Sequence, residues 1–252
     1  MIKGLGWHPP TTEPLHPKFC AHFTPMSSFM LPLSVDLRPE CPPVYDQGNL
    51  GSCTANASGG LAHFLVKKLD LWNFMPSRLA EYYWTRVFEG DPGQDNGASV
   101  QDAVNTMTTY GVANEALWWY DVAKFAVKPG KNVVNDAAKH IVSQVYQINQ
   151  NETEMKTCLS MGYPFAIGFT VYSSFDNIGS DGVMPMPAAG ESVLGGHAVL
   201  VVGYDDSRKM FIVRNSWGTS WGVNGYFYMP TEFILGKDAS DFWTAHMLTL
   251  KP

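Results

Sequence analysis

Hydrophobic positions along the chain follow two successive rhythms. Ala57, Leu61, Phe64 and Leu65 recur at steps of three and four, which predicts an amphipathic helix over 56–69 with Cys53 in its first turn. Ser77, just after Pro76, has the chemistry of an N-cap and predicts a second helix carrying Leu79, Tyr82, Tyr83 and Val87. A third is predicted from Ser99 to Tyr110, closed by Gly111. From about residue 145 the rhythm shortens to apolar, β-branched runs at 145–148, 165–172, 198–204, 210–213 and 226–229, which predict strands of an antiparallel sheet or barrel. One further helix is predicted from Asn151 or Thr153 to Leu159. The pattern implies an α+β chain without internal repeats: a helical lobe over about 34–144, a β lobe over about 145–252, and a cleft between them as the natural ligand site.

Residues 1–33 share neither rhythm. They hold six of the 17 prolines and three of the seven histidines, and they cannot form a core of their own. They read as an extended arm on the 34–252 domain. It serves either as a structural strap or as a segment that covers the cleft until it is removed, bringing Cys20 or a neighbour near Cys53.

Composition narrows the function. With 45% hydrophobic and 16% charged residues in 252, the chain has the make-up of a folded globular protein. A formal charge of −6 and the lack of any Lys/Arg run speak against nucleic acid. No stretch approaches the roughly 18 apolar residues of a membrane span, and the first residues lack a secretory h-region, so an intracellular location or a virus particle is expected. Four scattered cysteines make neither a disulfide scaffold nor a zinc pair. Cys20, between His16 and His22, lacks further ligands nearby, so no metal and no cofactor is expected.

The runs at 197–204 and 209–216 flank the polar turn Asp205-Asp206-Ser207-Arg208, so they should pair antiparallel with residue numbers summing to about 412 or 413. That places His197 across from Asn215 or Ser216, at a Cβ separation of about 4.5 to 5.5 Å. Cys53 at a helix start would face this pair. A helix N-terminus and a neighbouring imidazolium both favour the thiolate, and a third group that orients the imidazole completes a Cys-His-Asn nucleophile, base and orienter. Alone, Cys53 fits a buried small hydrophobe and His197 a structural histidine; the joint arrangement is what points to chemistry.

Three blocks resemble the papain-like (C1) cysteine peptidases: Gln47-Gly48-Asn49-Leu50-Gly51-Ser52-Cys53-Thr54-Ala55, then Gly196-His197-Ala198-Val199, then Asn215-Ser216-Trp217-Gly218 with Trp221-Gly222. The segment Val35-Asp36-Leu37-Arg38 resembles that family's mature start, and Asn96-Gly97-Ala98 its cleft loop. The resemblance implies the two-lobe papain-like fold and a cathepsin-like thiol peptidase without cofactor, acting on peptides or proteins as a monomer. It implies Cys53 as nucleophile, His197 as base and acid, Asn215 as orienter and Gln47 as oxyanion donor. It implies that Trp217 covers the His–Asn bond and Trp221 lines the leaving-group side. Gly51, Gly97, Ala98 and Gly196 would line the cleft, with Ser99, Val100 and Ala198 shaping an apolar specificity pocket. Leu50 replaces the disulfide cysteine of secreted members. Thr54 and Ala98 stand where an aromatic residue and a second glycine are usual, which points to the bacterial, archaeal and large-DNA-virus branch. No His-rich insertion separates Cys53 from Asn96, so an endopeptidase is expected; a peptide ligase or transpeptidase on the same site, or a non-catalytic peptide-binding protein, are the alternatives.

Overall fold

The computed structural model describes residues 3–24, 31–71 and 74–250. In chain order its elements are β1 (Ser34–Asp36), α1 (Cys53–Lys68), α2 (Arg78–Phe88), α3 (Val100–Thr109), α4 (Lys131–Ala137), β2 (His140–Gln147), α5 (Glu152–Ser160), β3 (Phe165–Tyr172), β4 (Val193–Asp205), β5 (Met210–Arg214), β6 (Tyr226–Pro230), α6 (Thr231–Ile234) and β7 (Ala239–Leu250). The strands form one antiparallel sheet in the order β2-β7-β3-β4-β5-β6, with β1 added on β4. This is the expected α+β arrangement of a helical layer beside an antiparallel sheet.

The three predicted helices of the first half start where the chemistry placed them. Ser77 and Ser99 are N-caps whose side chains accept the backbone N–H of Ala80 and Asp102. Helix α1 begins at Cys53, three residues before the predicted start at 56, and is buried from Cys53 to Ala62, its alanines and glycines letting it lie against β4. Arg78 at the start of α2 is buried, pairs with Glu115 at 3.0 Å and donates to Asn56 on α1, which ties α2 to the nucleophile helix.

Two expectations are corrected here. The β4–β5 hairpin turns through residues 206–209, not 205–208, so Tyr204 faces Phe211 and Asp205 faces Met210. Lys209 takes the left-handed turn conformation (φ 53°) that the sequence signal did not reveal. A bulge between Val201 and Gly203 shifts the register, and pairing ends at Leu200 with Arg214. Asn215 thus lies just past the strand end and not directly across from His197. The bulky aromatics Trp118, Trp119, Tyr82 and Tyr83 are expected in the core, but Trp119 is instead 70% exposed.

The arm is part of the fold. Pro17 accepts the Gln147 N–H at 3.0 Å, and Phe19 is fully buried, stacked on Phe23 and edge-on to Tyr146 and His246. Among the described residues no helix is long and apolar enough to cross a membrane.

Candidate active site

The loop 47–52 delivers Cys53 as the first residue of α1, and β4 carries His197 immediately before Ala198, whose backbone N–H faces the Cys53 sulfur. His197 Nε2 donates to Asn215 Oδ1 at 2.8 Å. The same oxygen accepts the backbone N–H of Ser216 at 2.8 Å, which identifies it as the acceptor end of the amide. The proton of neutral His197 therefore sits on Nε2, leaving Nδ1 as the basic nitrogen. Nδ1 is buried and has no hydrogen-bond partner among the described residues. Trp217 lies over the imidazole at 4.7 Å between ring centroids, and Trp221 meets Trp217 edge-on at 5.1 Å, so the His–Asn bond is sealed from water.

Gln47 is fully buried and fixed at both ends of its amide. Its Oε1 accepts the Ser216 hydroxyl at 2.6 Å, and its Nε2 donates to Leu50 O at 2.9 Å and to Gly4 O at 2.8 Å. Gly4 belongs to the arm. A carbonyl oxygen of the N-terminal segment thus occupies the position at which this amide donor points.

Residues 4–8 run through the cleft. Gly4 N–H donates to Gly48 O, Gly6 and Trp7 N–H both donate to Gly196 O at 3.0 Å, Ala98 N–H donates to Gly6 O at 2.7 Å, and His8 N–H donates to Ala98 O at 3.3 Å. Lys3 anchors the entrance on Asp46 at 2.6 Å. Gly6 packs so closely on Gly51 that a Cβ would lie 1.9 Å from Gly51 O. Of the two roles foreseen for the arm, residues 4–8 cover the cleft and residues 17–23 strap the segment to the sheet. The segment that reaches the thiol is Gly4 to Gly6, not Cys20. Cys20 is exposed and accepts the Asn149 side-chain N–H at 3.2 Å.

Burial acts on both the thiol and the imidazole. Burial pushes the Cys53 thiol up to about 11, against the backbone N–H groups of Ala198, Gly6, Thr54 and Cys53 itself, which face the sulfur. Burial likewise lowers His197 to about 4, with the Asn215 bond opposing it. Both shifts favour the neutral thiol and the neutral imidazole over the expected thiolate–imidazolium pair while residues 4–8 lie in the cleft. The physical reason is the missing solvent: neither ion is hydrated beneath residues 4–8.

At the far end of the covered stretch His8 Nε2 sits 3.3 Å from Glu89, whose other oxygen accepts the Ser99 N–H at 2.9 Å. The Glu89 hydrogen bond raises His8 from 6.5 to about 9, against desolvation. A raised cation strengthens the contact fully below about pH 6.5 and loses that contribution as pH rises through about 9. Proton NMR of His8 should show titration near 9, and Glu89→Gln should return it toward 6.5.

The remaining sequence-predicted positions separate into two sets. Gly51, Ala98 and Gly196 touch the arm through their backbones, and Ala198 faces the sulfur. Gly97 donates its N–H to Tyr82 Oη at 3.2 Å, and its Cα side lies against Gly6 O. Ser99, expected in the pocket wall, instead turns its hydroxyl to Asp102 at 2.8 Å as the α3 cap. Val100 is buried, and its N–H donates to Asp241 at 2.7 Å. Asp241 was not anticipated, because it lies on a strand whose mixed polar sequence concealed it; Ser216, named as an alternative to Asn215 opposite His197, instead donates its hydroxyl to Gln47. Among the described residues no cluster of three or more His, Cys, Asp or Glu side chains is arranged to hold a metal ion.

Residues 31–234 match the family model described as papain family cysteine protease. An uncharacterized peptidase C1-like protein of Acanthamoeba polyphaga mimivirus is 39% identical over 216 residues, 81% of this chain and 70% of that protein. Cysteine proteinase 3 of Entamoeba histolytica is 28% identical over 205 residues, 80% of this chain and 63% of that protein. Among solved structures, xylellain, a cysteine protease from Xylella fastidiosa, superposes with a TM-score of 0.88 at 35% identity, covering 99% of this chain and 97% of that one. A procathepsin B of Trypanosoma congolense shares the fold at a TM-score of 0.73 and 19% identity.

Proposed function

Since the chain belongs to the papain family of cysteine proteases, we propose that it is an endopeptidase held latent by its own residues 3–8, with Cys53, His197, Asn215 and Gln47 as its catalytic residues. Residues 34–252 form the peptidase domain in this reading, and the covering stretch is the regulatory part of the 1–33 arm. The observation that carries it is the Gly4 carbonyl, which takes the Gln47 Nε2 hydrogen bond at 2.8 Å that an oxyanion would take.

With the cleft open, solvent and the α1 N-terminus favour the thiolate, and His197 Nδ1 accepts the Cys53 proton. The thiolate sulfur attacks the substrate carbonyl carbon, and the oxygen takes the negative charge between the Cys53 backbone N–H and Gln47 Nε2. The C–N bond breaks, the leaving amine takes the proton from His197, and a thioester remains on Cys53. His197 then deprotonates water, which attacks the thioester and releases the acid with Cys53 restored. Asn215 keeps Nδ1 free for both transfers by holding the proton on Nε2.

The test is mass spectrometry of the full chain carrying Trp7→Ala, incubated with an unstructured protein such as casein. Peptide fragments and an acyl adduct on Cys53 are expected, both absent in Cys53→Ala. Cleavage that survives Cys53→Ala would overturn the assignment. Spliced products in place of new carboxyl termini would replace hydrolase by ligase.

A further inference from the structure

The pocket beside the cleft backbone, expected to be apolar, ends in a carboxylate. Trp7, the arm residue whose N–H donates to Gly196 O, buries its indole there and donates Nε1–H to Asp241 Oδ2 at 3.1 Å. The carboxylate is held by three further donors: the backbone N–H of Val100 at 2.7 Å and of Gln101 at 3.1 Å, at the start of α3, and Trp243 Nε1 at 2.7 Å. Asp241 itself adopts the left-handed conformation at φ 62°, uncommon for a residue with a Cβ, so the fold aims this group against a local backbone preference. The floor of the pocket is Gly168 on β3. A Cβ there would fall 1.8 to 2.4 Å from three indole atoms, so the flat ring fits only because that side chain is missing.

We propose that Asp241 and Gly168 make this pocket a tryptophan-selective subsite, and that the peptidase prefers substrates presenting an indole to it. Asp241 is a specificity-determining residue, and Trp7 is the arm's occupant of the same seat. The proposal rests on the peptidase reading for its substrate but not for its pocket. When the arm leaves, Asp241 Oδ2 loses one donor and the glycine floor is bare. An indole restores both contacts, phenylalanine restores only the packing, and leucine fills the slot without its N–H or its planarity. A hydrogen bond from a neutral donor to a buried carboxylate is worth about 10- to 100-fold in discrimination.

The experiment uses the full chain with Trp7→Ala, which empties the seat. Fluorogenic peptides differing only by Trp, Phe, Leu or Arg are compared at each of the three positions before the scissile bond. At one position kcat/KM for Trp should exceed that for Phe and Leu by 10-fold or more. Adding Asp241→Asn should bring Trp and Phe within about 3-fold while the Leu peptide changes little. Adding Gly168→Ala, which leaves the carboxylate in place, should penalise both aromatic peptides against Leu. Equal rates for Trp and Phe, or Arg preferred over Trp, would overturn the proposal. In parallel, binding of the peptide acetyl-Leu-Gly-Trp-His-amide and its Phe analogue to the same Trp7→Ala chain is measured by NMR titration. Tighter binding of the Trp peptide without any hydrolysis would keep the pocket and sink the peptidase reading; hydrolysis with no preference in either assay would do the reverse.

Discussion

Gly6→Val in the full chain should raise the rate at which iodoacetamide alkylates Cys53 at pH 7 about 100-fold. A side chain at position 6 has nowhere to go, since even its Cβ would meet the Gly51 carbonyl oxygen at 1.9 Å, and both partners are backbone. The covering stretch must lift away. Beneath it the thiol is pushed up to about 11, so only about one molecule in ten thousand is ionised at neutral pH. A solvated thiol at a helix N-terminus beside an imidazole falls to about 7 or below, which makes half or more of it thiolate. The weaker intrinsic nucleophilicity of a low-pKa thiolate returns nearly two of those decades, leaving about 100-fold. Gly93→Ala, where a Cβ meets nothing within 4 Å, is the matched control and should leave the rate unchanged. An unaltered rate in Gly6→Val would mean that the domain, and not its arm, buries the thiol.

Gln47→Ala should lower kcat by about 100- to 1,000-fold with little change in KM, the usual cost of removing one preorganised donor to a developing oxyanion. Steady-state kinetics on the Gly6→Val background isolates the effect from latency. The same substitution removes the donor to Gly4 O and leaves the Ser216 hydroxyl without its acceptor, so in the otherwise unaltered chain it should also loosen the arm. Alkylation of Cys53 then rises while turnover falls. A residue that merely supported the fold would move both in the same direction. Gln47→Glu keeps an acceptor for Ser216 but places negative charge where the oxyanion forms, and it should be no faster than Gln47→Ala.

The helices of the first half and the strands β3 to β6 were readable because each has a clean period and a marked end: Ser77 and Ser99 as caps, Asn151 before α5, and apolar runs broken by turns. Strand β7 was not, although it is 12 residues long and pairs with both β2 and β3. Its buried stretch includes Asp241 and Thr244, polar residues satisfied by partners distant in sequence, and such satisfaction leaves no periodic trace. The pocket's acid was hidden with it. The His197–Asn215 hydrogen bond was anticipated, but by a register off by about two residues, because one left-handed turn residue and one bulge are invisible to alternation. The arm's course was legible only as a lack of rhythm. Its fit depends on glycine opposite glycine across the cleft, Gly6 on Gly51, a complementarity between segments 45 residues apart that local pattern does not encode.

Phe19 and Phe23 give the covering stretch a property that a separate inhibitor would lack. They are lodged against Tyr146 and His246 on the sheet, about ten residues beyond the stretch that fills the cleft. A covering segment that slips out is therefore still tethered a few tens of ångströms from its seat, at a local concentration in the millimolar range. Return is unimolecular and does not depend on how dilute the protein is. Opening by a transient change of conditions is self-correcting for an unbroken chain. A single break in the exposed, proline-rich tether at 9–16 turns an equilibrium into a departure, so the protein's history is written in the continuity of eight surface residues.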